Sequence, residues 1–174
     1  LRIKEDLLNE DDQAILLRLV ETLDQVEKLY LEYEFNAVLQ TIYRFFWTDF
    51  CDWYIEASKV RVQESASKDT CLAIQDICLR HILLLLHPVT PFITEELWFL
   101  LGFANGNSIQ GVAPGTGAEL IGKLSIGGLQ LDTNVLDEME HVRELVTSMR
   151  SLKADRNLSN NYVLSTFLSL EYLA

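Results

Sequence analysis

The chain has 174 residues, of which 49% are hydrophobic and 23% charged, a composition that supports a folded core and excludes a disordered segment. Its formal net charge of −12 argues against a freestanding duplex-DNA binder, which is usually basic, while leaving room for a local patch that touches a few nucleotides. Three cysteines, Cys51, Cys71 and Cys78, form no CxxC pair, so neither a zinc ribbon nor a disulfide framework is indicated, and reduced buried thiols are expected.

The first element is expected from about residue 11 to residue 31. Ile15, Leu16, Leu19, Leu23, Val26, Leu29 and Tyr30 recur at helical spacing, with charges on the opposite face. A second helix runs from residue 34 to about residue 63. Its main stripe is Phe35, Val38, Leu39, Ile42, Phe46, Trp53, Ala57 and Val60, widened by a row of Tyr43, Trp47, Phe50 and Tyr54. Phe46, Trp47, Phe50 and Trp53 are expected in the structural core, joined by Trp98 from a later helix, because each aromatic ring can bury ~150–250 Å².

Ser67 is placed to cap a third helix that ends at His87-Pro88, where the proline ring disfavours helix in the residue before it. Thr90-Pro91 then reads as cap and first turn of a short helix that carries Glu95 and Glu96 near its positive end and closes Leu97, Trp98 and Leu101 over the core. All eight glycines fall between Gly102 and Gly128, so residues 102–133 are read as one irregular Gly-rich insertion. A last helix is expected from about residue 134 to residue 156, with Leu136, Met139, Val142, Leu145, Val146, Met149 and Leu152 inward. Residues 158–174 look strand-like, the start of a following α/β segment. The fold class is all-α: an antiparallel bundle of four long helices and one short helix over residues 1–157. The missing initiator Met and the strand-like end suggest a piece of a longer protein.

Few residues suggest chemistry. Cys78 and His81 are one helical turn apart but lack further ligands, so no metal is expected. Glu95 and Glu96 point about 100° apart on a helix and cannot face one substrate. Asp49, Asp52 and Glu56 suit a solvated face, with Glu56 pairing Lys59. No serine, cysteine or histidine arrangement for nucleophilic catalysis stands out. Basic residues are uneven: residues 1–34 carry four against ten acidic residues, whereas residues 143–156 carry four against two, with Arg143, Arg150 and Lys153 near one helical face. From composition and spacing alone the reading stops at a helical interaction module without a membrane span.

Two longer patterns go further. FNAVLQTIYRFFWTDFCDWYIEASK, from Phe35 to Lys59, followed by HPVTPFITEELW, from His87 to Trp98, resembles the anticodon-binding helical domain of valyl-tRNA synthetases, a class I aminoacyl-tRNA synthetase family. The likeness covers roughly residues 11–101 and resumes at MRSLKADRNLS. Departures are the absence of a Trp-Pro after Ser108-Ile109 and a lysine, Lys153, where the family's second arginine stands. The HIGH and KMSKS signatures are also absent, so no catalytic residue is expected in this chain.

The resemblance implies a domain that positions valine tRNA for ATP-dependent aminoacylation performed by a catalytic domain of the same polypeptide. No cofactor is implied here; ATP and Mg²⁺ would serve the parent enzyme. The implied partners are the anticodon loop and the catalytic domain, with no DNA and no membrane, in a cytoplasmic monomer. The implied RNA-facing candidates are Ile55, Glu56, Lys59 and Arg61, with Arg143, Arg150 and Lys153 as a second set. Unstacked anticodon bases are read by stacking and edge hydrogen bonds, and a carboxylate such as Glu56 suits the amino donor of cytosine. Ile55 would pack on a base face while Lys59 and Arg61 neutralise phosphates. The same domain of an isoleucine or leucine enzyme, or a helical protein–protein module without RNA, are the alternatives; CDWYIE favours the valine family.

Overall fold

A computed structural model describes residues 3, 5–104, 107–126 and 130–157. A 3-10 turn, Glu5–Leu7, precedes α1 (Glu10–Leu31). A continuous rod follows: α2 (Phe35–Arg44), a π-helical segment (Phe45–Ile55) and α3 (Glu56–Gln63). Then come α4 (Lys68–Leu86), α5 (Pro91–Leu100), α6 (Gly117–Ile126) and α7 (Val135–Asp155). No strand occurs among the described residues, as expected for an all-α chain. The strand-like segment expected at 158–174 lies outside them. The chain divides into two compact units, residues 1–136 and residues from 137 onward.

In the first unit α1 and the rod are antiparallel. Arg44 of α2 bonds Gln25 in the second half of α1, whereas Tyr54 and Arg61 bond Asp12 in its first turn. α4 returns along the rod, with Gln75 donating to Ser58 of α3. The stripe read in α1 is the core: Ile15, Leu16, Leu19, Leu23 and Val26 are buried against Val38, Ile42, Phe45, Phe50, Tyr54, Ile74, Cys78, Ile82 and Leu85. Apolar burial of this kind supplies most of the stability of an amphipathic helix.

The rod departs from a plain α-helix where its aromatics are densest. In the π segment the hydrogen bonds span five residues, so each residue rotates less about the axis and the buried stripe drifts in phase. The row read as Tyr43, Trp47, Phe50 and Tyr54 splits across this change: Tyr43 precedes it and Trp47 lies near its start, both turned away from the buried Val38 and Ile42 in plain helical phase, whereas the drift brings Phe50 and Tyr54 inward. Phe50 and Tyr54 are buried and stacked with ring centroids 6.3 Å apart. Tyr43 and Trp47 face solvent, stacked on each other at 6.4 Å, and Trp47 is 51% exposed. Trp47 is thus not a core residue. Trp53 is half-buried, Phe46 packs partly buried on the core, and Ala57 and Val60 lie on the exposed side of α3.

The turn from α4 into α5 explains its sequence. Pro91 opens α5 behind Thr90, and His87 Nδ1 lies 2.8 Å from Thr94 Oγ1, pinning the two helices at a corner. Trp98 is buried in a second small cluster with Leu83, Leu84, Phe103 and Ile109. The Arg80 guanidinium lies 5.1 Å from the Trp98 ring centroid and 4.7 Å from that of Phe103, a cation–π clamp from α4. Glu95 accepts from Ser108 Oγ and from the Ile109 N–H, so it anchors the loop after α5. Leu97 and Leu101, expected to close over the core, are exposed.

The stretch expected to be an irregular insertion contains α6. Leu120 and Leu124, one turn apart, join the α1 core. Thr116 and Glu119 bond each other's backbone N–H as a capping box. Gly117 lies close to α1: its N–H donates to Asp24 at 2.8 Å, and an added Cβ would lie 2.6 Å from that exposed carboxylate, which would have to shift. In the second unit α7 forms as expected, but Val142, Leu145 and Leu152 are exposed rather than inward.

Cys71 and Cys78 are buried, Cys51 is half-buried, and all three are free thiols. Burial raises each thiol pKa, which lowers the thiolate fraction at neutral pH. His81 is buried, its Nδ1 2.7 Å from the Ile77 carbonyl. Burial lowers its pKa, assisted by Lys123 and Arg80 and opposed by that carbonyl. The unfolded chain therefore takes up a proton at His81 before the folded one does. Stability contributed by neutral His81 is present above the ordinary imidazole value of 6.5 and declines as pH falls below it toward the lowered folded value. Denaturant titrations of wild type and His81→Gln should show a steeper decline below pH ~6.5 for wild type; parallel profiles would contradict the burial assignment.

Candidate nucleic-acid interface

The free face of α3 is built by the way the rod ends. Ser58 turns inward, donating to the Ile55 carbonyl at 3.3 Å and accepting from Gln75 at 3.1 Å. That orientation leaves Glu56, Ala57, Lys59 and Val60 outward. Glu56 and Lys59 form an i,i+3 ion pair at 2.5 Å, with both side chains more than half exposed. A pair so wet contributes ~0.2–1 kcal/mol and opens at little cost. The face thus offers an exchangeable carboxylate, an ammonium and, in Val60, an aliphatic surface that is 68% exposed.

Behind this face lies a buried polar cluster. Asp12 is fully buried at the start of α1. Its carboxylate accepts from Tyr54 Oη at 2.7 Å, from Arg61 Nη1 at 2.6 Å and from the Asn9 N–H at 3.2 Å. Arg61 also donates to Asn9 Oδ1 at 2.8 Å and to the Leu7 carbonyl at 2.7 Å. Asn9 and Asp12 form the capping box of α1, so one carboxylate serves both the helix start and the rod. Burial, then Asp12, push the Tyr54 phenol far above its ordinary value. For Arg61, burial works against the charge, but the hydrogen bond and charge of Asp12 outweigh it and raise the pKa. Trp53 adds a bond from Nε1 to Asp11 at 3.1 Å.

The RNA-facing candidates accordingly separate. Glu56 and Lys59 are exposed and adjacent, as expected. Arg61 is committed to Asp12, Asn9 and Leu7, and so is not placed to neutralise a phosphate. Ile55 packs partly buried against the core, and Val60 is the exposed aliphatic instead. Asp49 is buried whereas Asp52 is exposed, so the two do not share one solvated face with Glu56. Arg143 and Lys153 are half-buried and Arg150 is exposed along α7, in the second unit. Among the described residues no group of three or more His, Cys, Asp or Glu side chains could hold a metal ion, and no helix is long and apolar enough to cross a membrane.

Residues 12–168 match a family model described as the anticodon-binding domain of tRNA ligase. The chain belongs to this family. Among curated relatives, it is similar to a valine–tRNA ligase of Thermotoga maritima, 34% identical over 160 residues that make up 90% of this chain and 17% of that protein. It is 35% identical to a valine–tRNA ligase of Geobacillus kaustophilus over 162 residues, 92% of this chain and 17% of the relative. One from Neisseria gonorrhoeae is 32% identical over 86% of this chain and 16% of its own length. The chain thus spans about one sixth of the relatives it matches.

Within this anticodon-binding domain the buried cluster was not apparent from sequence, because Asp12 sits among acidic residues of α1 that read as a solvated face. The usable signal was Asn9-x-x-Asp12 ahead of an apolar run, a capping-box spacing. Removing Arg61 would strand a buried carboxylate. Arg61→Ala should lower the unfolding free energy by about 3–5 kcal/mol in chemical denaturation. An unchanged midpoint would show that the pair is not desolvated as described.

Proposed function

We propose that this domain reads the anticodon loop of valine tRNA for a valine–tRNA ligase whose catalytic domain lies elsewhere in the same polypeptide, and that α3 is the reading face. The observation that carries the proposal is the exposed Glu56–Lys59 pair at the end of the aromatic rod. The family supports an anticodon partner, and the names of the similar proteins support valine.

In chemical terms Glu56 exchanges Lys59 for the amino group of a cytosine pairing edge, a donor shared by the last anticodon base of every valine codon set. Lys59, released from Glu56, meets the loop phosphates, which makes binding salt-dependent. Val60 packs beside a base, the part first given to Ile55. The domain performs no bond making itself: it fixes the tRNA so that its far end reaches the catalytic centre. The protein is proposed to act in the cytoplasm as a monomer. The Arg143, Arg150 and Lys153 set is proposed as a secondary phosphate contact along α7.

The test is kinetic and uses the full-length enzyme. Glu56→Gln should raise the KM for valine tRNA roughly tenfold, equivalent to ~1.4 kcal/mol, and leave valine-dependent ATP–pyrophosphate exchange unchanged. Lys59→Ala should weaken tRNA binding and flatten its salt dependence. A proportional loss of exchange, or a wild-type KM for both variants, would overturn the assignment.

A further inference from the structure

A cavity opens on the flank of the first unit, where the second half of α1, the end of α4 and the chain leading into α6 come together. Its volume is about 410 Å³. Small-molecule sites span ~300–1,000 Å³. Leu23 and Val26 of α1 and Leu84 and Leu85 of α4 are buried and form its floor. Tyr30, Leu31 and Pro114 line it nearer the solvent. Glu56, Lys59 and Val60 of the proposed reading face take no part in it.

The outer wall is held by its own contacts. The Gly117 N–H donates to Asp24 of α1, and Glu119 Oε2 accepts from the Thr116 N–H. Gly115, at φ +78°, passes so close to Glu119 that an added Cβ would lie 2.7 Å from that same oxygen. These contacts hold residues 113–119 beside α1 without filling the space behind them. Protein interiors leave few voids larger than a water molecule, so an apolar recess of this size has contacts still to be made.

The mouth of the cavity sets the charge of what fits. Two carboxylates line it, Glu27 and Glu119, and no lysine or arginine does. Glu27 is exposed and makes no hydrogen bond or ion pair among the described residues. Glu119 uses Oε2 in the cap of α6 and leaves Oε1 without a hydrogen bond among them, as is the Tyr30 hydroxyl. The nearby cations are directed elsewhere. Lys28 projects about 100° further round α1 than Glu27. Arg44 bonds Gln25, and Arg80 is held over Trp98 and Phe103. Lys123, one turn beyond Glu119 on α6, forms no ion pair with it and lies near His81. An anion would meet like charge at this mouth, and a neutral hydrocarbon would leave both carboxylates unused. An ammonium on a short apolar body satisfies the floor and the rim together.

We propose that this cavity is a binding site for a small apolar amine, with its hydrocarbon part over Leu84 and Leu85 and its ammonium at Glu27 and Glu119. The Tyr30 hydroxyl is a further acceptor at the mouth. The inference does not rest on the anticodon reading, which concerns α3. A ligand there touches α1, α4 and residues 113–119 at once, so its binding ties the chain leading into α6 more firmly to α1.

Hydrogen–deuterium exchange of the full-length enzyme tests it, with phenethylamine as the probe and valine at saturation so that the substrate's own amine site is filled. Peptides covering residues 113–126 should exchange more slowly as the amine is added, and the titration gives its Kd. Phenethyl alcohol should protect them more weakly, and hydrocinnamate not at all. Ala113→Trp, at an exposed position of the wall, should abolish the protection by filling the recess. The double variant Glu27→Gln, Glu119→Gln keeps the shape of both side chains; it should weaken the amine about tenfold and leave the alcohol unchanged. No protection at millimolar amine, equal protection by all three probes, or an amine affinity that either variant leaves at its wild-type value would overturn the proposal. The tRNA KM of Glu56→Gln reports on α3 and is read separately.

Discussion

A fully buried carboxylate holds this domain together at the point where it matters most. Asp12 ties the capping box of α1 to Tyr54 and Arg61 of the rod, and through Arg61 to the backbone at Leu7. A buried ion is costly unless its partners are complete. Here every buried side-chain polar atom among the described residues has a hydrogen-bond partner. The geometry that satisfies Asp12 is met only when α1 and the rod are in one register, so the cluster gives the helices a fixed relative position that apolar packing alone leaves looser.

That register has a consequence for the outer side of the rod. With Tyr54, Ser58 and Arg61 turned inward, Glu56, Lys59 and Val60 are exposed on the opposite side of α3. The basic group that composition alone would assign to RNA, Arg61, is instead the one that orients α3. Its fork of donors suits three separate acceptors at once, which a lysine ammonium on a flexible stem matches poorly. Charge near the proposed reading face is therefore divided between a residue that builds it and residues that are presented by it.

Much of the fold was legible. The stripe of α1, the extent of the rod, the α4–α5 break at His87-Pro88 and the burial of Cys78 and His81 followed from periodicity and proline chemistry. What failed did so for identifiable physical reasons. Trp47 was assigned inward by adding a second aromatic row to the stripe, although at about 100° per residue it lies opposite Val38; the π segment turns Phe50 and Tyr54 inward, not Trp47. α6 was hidden by its glycines, although the Thr116-x-x-Glu119 cap and the Leu120–Leu124 pair were both in the sequence. Arg61 and Asp12 are 49 residues apart and meet only through tertiary structure, so no local spacing pairs them. Glu56 and Lys59 were singled out because they stand in a long family pattern, and their pairing and exposure fit an i,i+3 pair at the polar end of an apolar stripe.

The central claim is that a buried polar cluster fixes the rod so that α3 meets an anticodon loop. The most direct measurement is a photo-crosslink from valine tRNA carrying 4-thiouridine in its anticodon loop to the full-length enzyme, mapped by peptide mass spectrometry. The account predicts crosslinks within residues 56–63 of α3. Crosslinks confined to the α1–α2 or α4–α5 corners, or absent from this domain, would contradict it.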